Sequence, residues 1–317
     1  MTMPLIETRD LVKHFQTRRG SLHAVDHINL SIPEGQTLGV VGESGCGKST
    51  LGRTILRLLP ATSGQVLYRG ENILEYNKRQ VYKLREKLQI IFQDPYASLN
   101  PRMTVSDIIA EPLRVAKRFS NRTELEERVF ELMDTVGLAE RFVNSYPHEL
   151  DGGRRQRIGV ARALALNPDF IVCDEPVSAL DVSIQAQILN LLMDLQEKKG
   201  FTYMFITHDL SVVKHISNKI AVMYMGQCVE QAPSDELFEN PLHPYTNALL
   251  RAIPVPSLAP EDRLENVIRG EVSDPIEPPP GCRFANRCPY AKPECLAGPL
   301  AFKEVSPQHF VACTLHS

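Results

Sequence analysis

The segment G-E-S-G-C-G-K-S, from Gly42 to Ser49, has residue types and spacing suited to binding a nucleoside triphosphate. It fits the pattern G-x-x-x-x-G-K-[ST], with a strand-like apolar run before it and a helix-like run after it. Glycines allow backbone N–H groups to point at phosphate oxygens, while Lys48 reaches the β- and γ-phosphates and the Ser49 hydroxyl binds Mg²⁺. These flanks disfavour the alternative of a chance glycine-rich turn. The expected contacts are Gly42, Glu43, Ser44, Gly45, Cys46, Gly47, Lys48, Ser49 and Thr50.

A pair of carboxylates follows a second apolar run, D-F-I-V-C-D, at residues 169–174. Such a run is typical of a strand buried in a parallel sheet. Asp174 is expected to hold Mg²⁺, and Glu175 is expected to polarise the water that attacks the γ-phosphate. Solvated carboxylates at a strand end are the alternative. Because the pair lies downstream of a triphosphate loop, the catalytic roles are favoured.

The elements that must position these residues alternate between strand and helix. Alternating polar and apolar residues at 5–40, and the segment G-Q-V-L-Y-R-G, predict antiparallel strands. Helical spacing predicts helices over 123–138, with Thr123 as a possible cap, and over 183–200. Residues 202–207 predict another buried strand. The fold class is therefore expected to be α/β, with helices on both faces of a sheet.

Composition limits the functions that this chain of 317 residues can have. The net charge is −3 with 23 % charged residues, so no nucleic-acid-binding surface is expected. No apolar run approaches the roughly 20 residues of a membrane span, and the first residues lack a secretory pattern. We therefore expect a soluble chain whose membrane role, if any, depends on a partner.

The end of the chain differs in composition from the rest. Seven prolines between Pro254 and Pro280 predict an extended linker, and a cysteine-rich module is expected at 281–317. Its cysteines have the spacing C-x5-C-x6-C-x17-C, without the tight C-x2–4-C pairs of most zinc sites. Four thiolates at looser spacing are compatible with an iron–sulfur cluster, while zinc and free thiols remain alternatives. These cysteines are Cys282, Cys288, Cys295 and Cys313.

Short segments in a characteristic order resemble the ATP-binding subunits of ABC transporters over about residues 5–250. The resemblance implies a RecA-like α/β core with an antiparallel β subdomain and a helical subdomain. It implies that Phe15 stacks on adenine and that Val25 also contacts ATP. It further implies that Gln93, in I-I-F-Q-D-P, lies near Mg²⁺ and the attacking water, and that His208 contacts the γ-phosphate.

Two other segments match motifs of that family. S-A-L-D matches the D-loop through Ser178 and Asp181. L-D-G-G-R-R-Q-R stands where the family has its signature, usually L-S-G-G-Q, whose serine donates a hydrogen bond to ATP held by the opposite subunit. In this chain the signature positions are Asp151, Gly152, Gly153 and Arg154.

The carboxylate at the signature's serine position has two interpretations. At ~4 Å and an effective dielectric near ~20 it would repel a phosphate charge by about 4 kcal/mol, which Mg²⁺ and Arg154 would partly offset. Alternatively, Asp151 simply caps the helix that begins near Gly152, since Asp and Ser are comparable N-caps. If Asp151 both caps the helix and repels the phosphate, we expect a heterodimer with one competent and one weakened ATPase site.

A narrower resemblance extends to nearly the full length. N-P-L-H-P-Y-T-N-A-L-L and P-P-P-G-C-R-F-A-N-R-C are similar to the C-terminal extension of oligopeptide and dipeptide importer ATPases, most like their F-type subunit. This implies an ATPase domain at 1–253, a linker and extension at 254–317, and a [4Fe–4S] cluster. It also implies two transmembrane permeases, a second and different ATPase, an extracytoplasmic solute-binding protein, and a place at the cytoplasmic face of the cell membrane.

Two other functions compete with the importer. A soluble ABC ATPase acting on nucleic acid or ribosomes is disfavoured, because the chain has one cassette, no heptad insertion and no basic excess. A cysteine module that senses metal or redox state and regulates the ATPase is the other alternative. The sequence does not identify the cargo, for which peptides, nickel complexes and oligosaccharides are the expected classes.

Overall fold

A computed structural model describes residues 3–253 and 274–316. The chain divides into two compact units. The first unit contains Met1–Ile32, Thr37–Leu74 and Phe205–Ser317, and the second contains Pro33–Gln36 and Glu75–Met204. Most of the predicted proline-rich linker lies outside the described residues. Within the described ranges, no helix is both long and apolar enough to cross a membrane.

Strands and helices alternate through most of the chain. The strands are β1 (Ile6–Thr17), β2 (Gly20–Ile32), β3 (Thr37–Val41), β4 (Ser63–Tyr68), β5 (Glu71–Asn72), β6 (Leu88–Ile91), β7 (Phe170–Asp174), β8 (Thr202–Ile206), β9 (Lys219–Tyr224), β10 (Gln227–Pro233), β11 (Lys303–Ser306) and β12 (His309–Val311). The helices are α1 (Lys48–Ile55), α2 (Lys78–Lys87), α3 (Pro95–Ser98), α4 (Val105–Val115), α5 (Arg122–Thr135), α6 (Gly152–Leu164), α7 (Val182–Lys199), α8 (Leu210–Ile216), α9 (Ser234–Glu239) and α10 (Pro244–Arg251).

In the first unit, β1 pairs antiparallel with both β2 and β4 in a four-stranded sheet of order β2-β1-β4-β5. This confirms the antiparallel strands predicted near the N-terminus. All five residues of β3 are buried, and β3 instead runs parallel to β9. The apolar run before the triphosphate loop is therefore a core strand, which gives that loop a rigid base.

The C-terminal extension adds strands to the same sheet as β9. β10 pairs antiparallel with β9, β12 pairs antiparallel with β10, and β11 pairs with β12. A buried ion pair supports this join: His309 Nε2 lies 2.8 Å from Glu230 Oε1. The described part of the extension thus packs within the first unit. The domain boundary at 253 stays a prediction.

In the second unit, β7 is fully buried and runs parallel to β6, as its apolar run predicts. Helix α7 ends at Gly200, which adopts the left-handed conformation with φ 70° and so closes the helix. Helix α5 begins earlier than predicted, because Asn121 accepts the Thr123 N–H at 2.9 Å and is the N-cap. The proposed cap at Thr123 is therefore wrong.

Candidate active site

The triphosphate loop connects β3 to α1 and requires glycine at several positions. Gly42, Gly45 and Gly47 have φ values of 151°, 79° and 105°. A Cβ on Gly47 would lie 1.9 Å from the Ala24 carbonyl oxygen, and one on Gly42 would lie 2.1 Å from that of Met223. Because both obstacles are backbone atoms, a side chain at either position would displace the loop.

Lys48, the first residue of α1, is buried and turned into the loop. Its Nζ donates to the carbonyl oxygens of Gly42 and Glu43, at 2.8 and 2.9 Å. In the described structure no side chain caps the start of α1, and its first turn carries no acidic residue. First-turn N–H groups without a side-chain cap and a nearby ammonium group together suit a polyanion.

The other loop residues differ in exposure. Ser44 and Gly45 form the exposed tip, while Ser49 and Thr50 are half-buried in the first turn of α1. Cys46 is buried, and this burial raises the pKa of its thiol above the ordinary value. The Cys46 thiol therefore remains protonated near neutral pH and is a poor nucleophile.

Three further predicted contacts to the nucleotide lie in the first unit. Phe15 is partly exposed on β1, with Lys13 Nζ 4.6 Å from its ring centroid. Val25 is fully buried on β2, opposite Lys13 in the strand register. His208 is exposed just after β8, and its neighbour Thr207 donates from its N–H to the Val40 carbonyl at 3.1 Å. His208 is therefore the next residue after one that is hydrogen-bonded to β3, the strand that leads into the triphosphate loop.

The second unit brings together the predicted Mg²⁺ and water-activating residues. Gln93 and Glu175 follow the carboxyl ends of the parallel strands β6 and β7, and Gln93 Nε2 donates to Glu175 Oε2 at 2.8 Å. Asp174 is buried at the end of β7. Glu175 has φ 46°, and its carbonyl accepts from Ser178 Oγ at 3.1 Å. A positive φ at a glutamate is uncommon and marks a backbone that its surroundings hold in place.

The signature segment forms the start of α6. Asp151 is the N-cap: its Oδ1 accepts the Arg154 N–H at 2.8 Å, and its Oδ2 pairs with Arg154 Nη1 at 2.8 Å. The capping role predicted for Asp151 is confirmed, and the carboxylate also has its own countercharge. A Cβ on Gly153 would lie 2.7 Å from a methyl group of Ile184, so this glycine lets α6 begin against α7.

The D-loop residues lie between β7 and α7. Ser178 is tied back to Glu175 by its N–H at 3.3 Å as well as by its hydroxyl. Asp181 stands at the N-cap position of α7, where its carbonyl accepts the Gln185 N–H at 2.8 Å. The loop is thus linked by short-range contacts to the end of the strand that carries the predicted catalytic carboxylate.

The four cysteines of the extension approach one another. The Cys282 N–H donates to the Cys295 carbonyl at 2.7 Å, and Cys295 Sγ lies 3.2 Å from Thr314 Oγ1. Burial, together with the charges of the other three cysteines, raises the pKa of Cys282 to about 11. Burial likewise raises the pKa of Cys288 and Cys313.

The spacing of these sulfur atoms distinguishes between metal groups. Among the described residues, no three of the four cysteine Sγ atoms lie within 4.8 Å of one another. Four thiolates bound to one zinc ion at about 2.3 Å would be only about 3.8 Å apart. The arrangement therefore does not match a closed zinc site.

A second polar cluster joins the N-terminal strands to the extension. Asp26 Oδ1 lies 3.1 Å from His14 Nε2, and Asp26 Oδ2 lies 3.3 Å from His23 Nδ1. Arg283 also pairs with Asp26. Burial raises the pKa of Asp26, but Arg283 and the two histidines more than offset this and leave it below the ordinary value. Because the histidine rings stack with centroids 3.7 Å apart and Arg283 occupies the carboxylate, the cluster is an ion-pair link rather than a metal site.

Comparisons with known proteins agree with this arrangement. A family model described as "ABC transporter" matches residues 25–178, and one described as "Oligopeptide/dipeptide transporter, C-terminal region" matches residues 229–295. The latter begins in β10, before the predicted boundary.

Relatives match nearly end to end. The chain is 51 % identical over 316 residues to the putative oligopeptide transport ATP-binding protein YkfD of Bacillus subtilis, covering 99 % of this chain and 96 % of that protein. It is 50 % identical over 319 residues to the oligopeptide transport ATP-binding protein OppF of Escherichia coli, covering 98 % and 95 %.

A solved structure agrees on the fold. The dimeric ATP-binding cassette MJ0796 bound to ADP and Pi superposes with a TM-score of 0.67 at 30 % identity, covering 72 % of this chain and 98 % of that one. Together with the glycine-dependent loop and the glutamine–glutamate pair, these matches show that the chain belongs to the oligopeptide transport ATP-binding proteins of the ABC transporter family.

Proposed function

We propose that this chain powers the import of oligopeptides or dipeptides by hydrolysing ATP beneath a pair of membrane permeases. The observation that carries the proposal is near-full-length similarity to oligopeptide transport ATP-binding proteins, with the loop glycines and the Gln93–Glu175 pair in place. A role on nucleic acid or ribosomes is not favoured by any of these relatives.

Each predicted residue has a separate role in this proposal. In the first unit, the loop N–H groups and Lys48 bind the phosphates, and the Ser49 hydroxyl is the expected Mg²⁺ ligand. In the second unit, Asp174 is the other expected Mg²⁺ ligand, and Glu175 accepts a proton from the attacking water. Bound Mg²⁺ neutralises charge on the phosphates. Gln93 holds Glu175 in a defined rotamer through its amide group, so that the carboxylate is ready for this water.

The assembly in this proposal contains a second, different ATPase, two permeases at the cytoplasmic face of the membrane and an extracytoplasmic solute-binding protein. The support comes from Asp151, which replaces a phosphate-binding serine. In a homodimer both composite sites would meet this carboxylate, whereas a heterodimer keeps one unaltered signature. The contacts with Arg154 reduce the penalty but do not supply the hydroxyl donor.

The extension holds a [4Fe–4S] cluster in this proposal. The four thiols are near enough to affect one another electrostatically, yet no three of the described Sγ atoms lie within 4.8 Å of one another, which is compatible with thiolates that bind different iron atoms. The group would staple a short segment that has little core of its own. Anaerobic purification followed by iron and sulfide analysis tests this, and a zinc-only or metal-free chain would contradict it.

Two experiments test the function. Purification from gently solubilised membranes is expected to recover two permeases and a second ATPase; recovery as a soluble homodimer would contradict the importer. In the assembled transporter, Glu175→Gln should lower ATP turnover at least about a hundredfold and abolish peptide import. Glu124→Gln, which changes an exposed carboxylate on α5 of the same unit, is the matched control and should change neither.

A further inference from the structure

Glu43, the second residue of the triphosphate loop, is held on three sides. Its N–H donates to Tyr245 Oη at 2.9 Å. Its carbonyl accepts from Lys48 Nζ at 2.9 Å and from the Cys46 N–H at 3.3 Å. Its carboxylate binds both terminal nitrogens of Arg287, at 2.8 and 3.0 Å. A position that the loop pattern leaves unspecified is therefore fixed through its N–H, its carbonyl and its side chain.

The two partners from the C-terminal region, Arg287 and Tyr245, are themselves buried. The Arg287 side chain is only 7 % exposed, and its Nη1 lies 3.3 Å from Tyr224 Oη. Tyr224, Tyr245 and Phe284 pack with ring centroids 4.7 to 5.3 Å apart. We call these three residues the aromatic cluster. Bidentate arginine–carboxylate pairs fix geometry as well as charge. Arg287 and Tyr245 of the aromatic cluster together therefore hold Glu43, and with it this part of the loop.

Among the side chains that contact Glu43, only Lys48 is itself expected to bind the phosphates. Its Nζ donates here to the carbonyls of Gly42 and Glu43, and an ammonium group has a third N–H to donate. Tyr245 and Arg287 lie outside the loop pattern, so their contacts with Glu43 do not compete with the phosphates. These two contacts therefore hold Glu43 whichever acceptors Lys48 uses.

Charge gives Arg287 a second effect. Glu43 carries a carboxylate within a loop built to receive a triphosphate, and an unpaired carboxylate there would repel the nucleotide. Arg287 neutralises it in a pair that is mostly shielded from solvent, with 27 % of the Glu43 side chain exposed.

From these contacts we infer that Arg287 is a positioning residue for ATP binding, so that the C-terminal extension forms part of the nucleotide site. It acts through Glu43 and has no contact with the reacting atoms in this assignment. On this assignment, which rests on the proposed ATPase function, ATP affinity depends on a residue 244 positions away from Glu43 in the sequence.

The test compares variants of the full-length chain by titration with ATP and by ATP turnover in the assembled transporter. Arg287→Ala should raise the Kd for ATP about tenfold, with kcat at saturating ATP changed less than about twofold. Arg287→Lys should recover only part of the affinity, because an ammonium group cannot reproduce the two parallel bonds. Arg287→Ala combined with Glu43→Gln should bind ATP more tightly than Arg287→Ala alone, since no unpaired carboxylate remains.

Arg19→Ala is the matched control. Arg19 also joins the N-terminal strands to the C-terminal region, through Asp274 at 2.5 Å, but its pair is exposed and includes no residue of the loop. An Arg287→Ala protein that binds ATP as tightly as Arg19→Ala would overturn the inference, as would a fall in kcat without a change in Kd. If Arg287→Ala does not fold, Arg287→Lys decides the matter because it keeps the charge: Kd must rise at least threefold, and an unchanged Kd refutes the positioning role. Failure of the unaltered chain to bind ATP would instead refute the proposed function.

Discussion

Replacing Arg154 by glutamine should slow ATP turnover in the assembled transporter, even though Arg154 is not itself expected to react. Asp151 stays in place in this variant, because its Oδ1 still accepts the backbone N–H of residue 154 at the helix start. In the proposed dimer, the carboxylate would then face the partner's ATP without the guanidinium group that now lies 2.8 Å from its Oδ2. The change therefore exposes a negative charge while leaving the helix cap intact.

The size of the effect follows from the two charges. A phosphate charge ~4 Å from Asp151 is repelled by about 4 kcal/mol at an effective dielectric near ~20, and Arg154 at ~5 Å returns about 3 kcal/mol. The two side chains are 55 % and 44 % exposed, so solvent screening reduces both values. Halving them for solvent leaves about 1.5 kcal/mol for the removal of Arg154, which corresponds to roughly a tenfold slower turnover.

The opposite change, Asp151→Ser, should accelerate turnover only a few-fold. Serine keeps the helix cap and removes the repulsion, but the Arg154 side chain loses the partner that holds it at the site. The double variant should lie within about twofold of the unaltered protein, because both charges are gone.

The assay is phosphate release by the complete transporter at saturating ATP, repeated over a range of salt concentrations. Arg141→Gln is the control, because Arg141 also lies over the Phe142 ring, at 5.0 Å, where the Arg154 guanidinium lies at 4.8 Å. The control should turn over normally. An Arg154→Gln transporter that is as fast as the unaltered one, or an Asp151→Ser transporter that is slower, would refute the electrostatic account. A tenfold loss that persists unchanged in high salt would do the same.

Two further predictions concern the first unit. Gly47→Ala should abolish measurable ATP binding in a nucleotide titration, because the new Cβ would lie 1.9 Å from a carbonyl oxygen. Gly45→Ala is the control: its Cβ would have nothing within 4 Å, so it should cost only about 1 kcal/mol of backbone strain. Equal losses of ATP binding in the two variants would contradict this. Burial lowers the pKa of His309, but contacts with Glu230 and Glu236 raise this pKa more, so that it lies above the ordinary value. The stability that protonated His309 adds to the fold is therefore present below about pH 6.5 and is lost as the pH rises through the raised pKa. Urea unfolding should show this loss, and the same slope in His309→Gln would assign it to other groups.

Local patterns were sufficient for the elements whose own residues determine them. The loop glycines, the buried strand β7 and the end of α7 at Gly200 each depend on residues adjacent in sequence, and all three were predicted. The cap of α5 was misassigned by two positions, because Asn121 and Thr123 are both acceptable N-cap residues and only the geometry selects between them.

The missed features depend on residues far apart in the chain. β11 and β12 have four and three residues and no clear alternation, so their pairing beside β10 leaves little trace in the sequence. The Arg283–Asp26 and Arg287–Glu43 pairs join positions separated by more than 240 residues. A charge on the loop and a charge in a cysteine-rich tail are each ordinary alone, so only the fold identifies them as partners.

Although the composition changes after residue 253, the extension packs directly against the nucleotide loop. Glu230, fully buried on β10, accepts the N–H groups of Leu242 and His243 at 2.7 and 2.9 Å and also faces His309 of β12. These contacts fix the start of α10, which carries Tyr245 to the N–H of Glu43. Because the same loop residue is reached both from α10 and from the cysteine-rich segment, a disturbance of the extension reaches the phosphate-binding loop through buried contacts. The extension is thus a structural neighbour of the triphosphate loop in this chain.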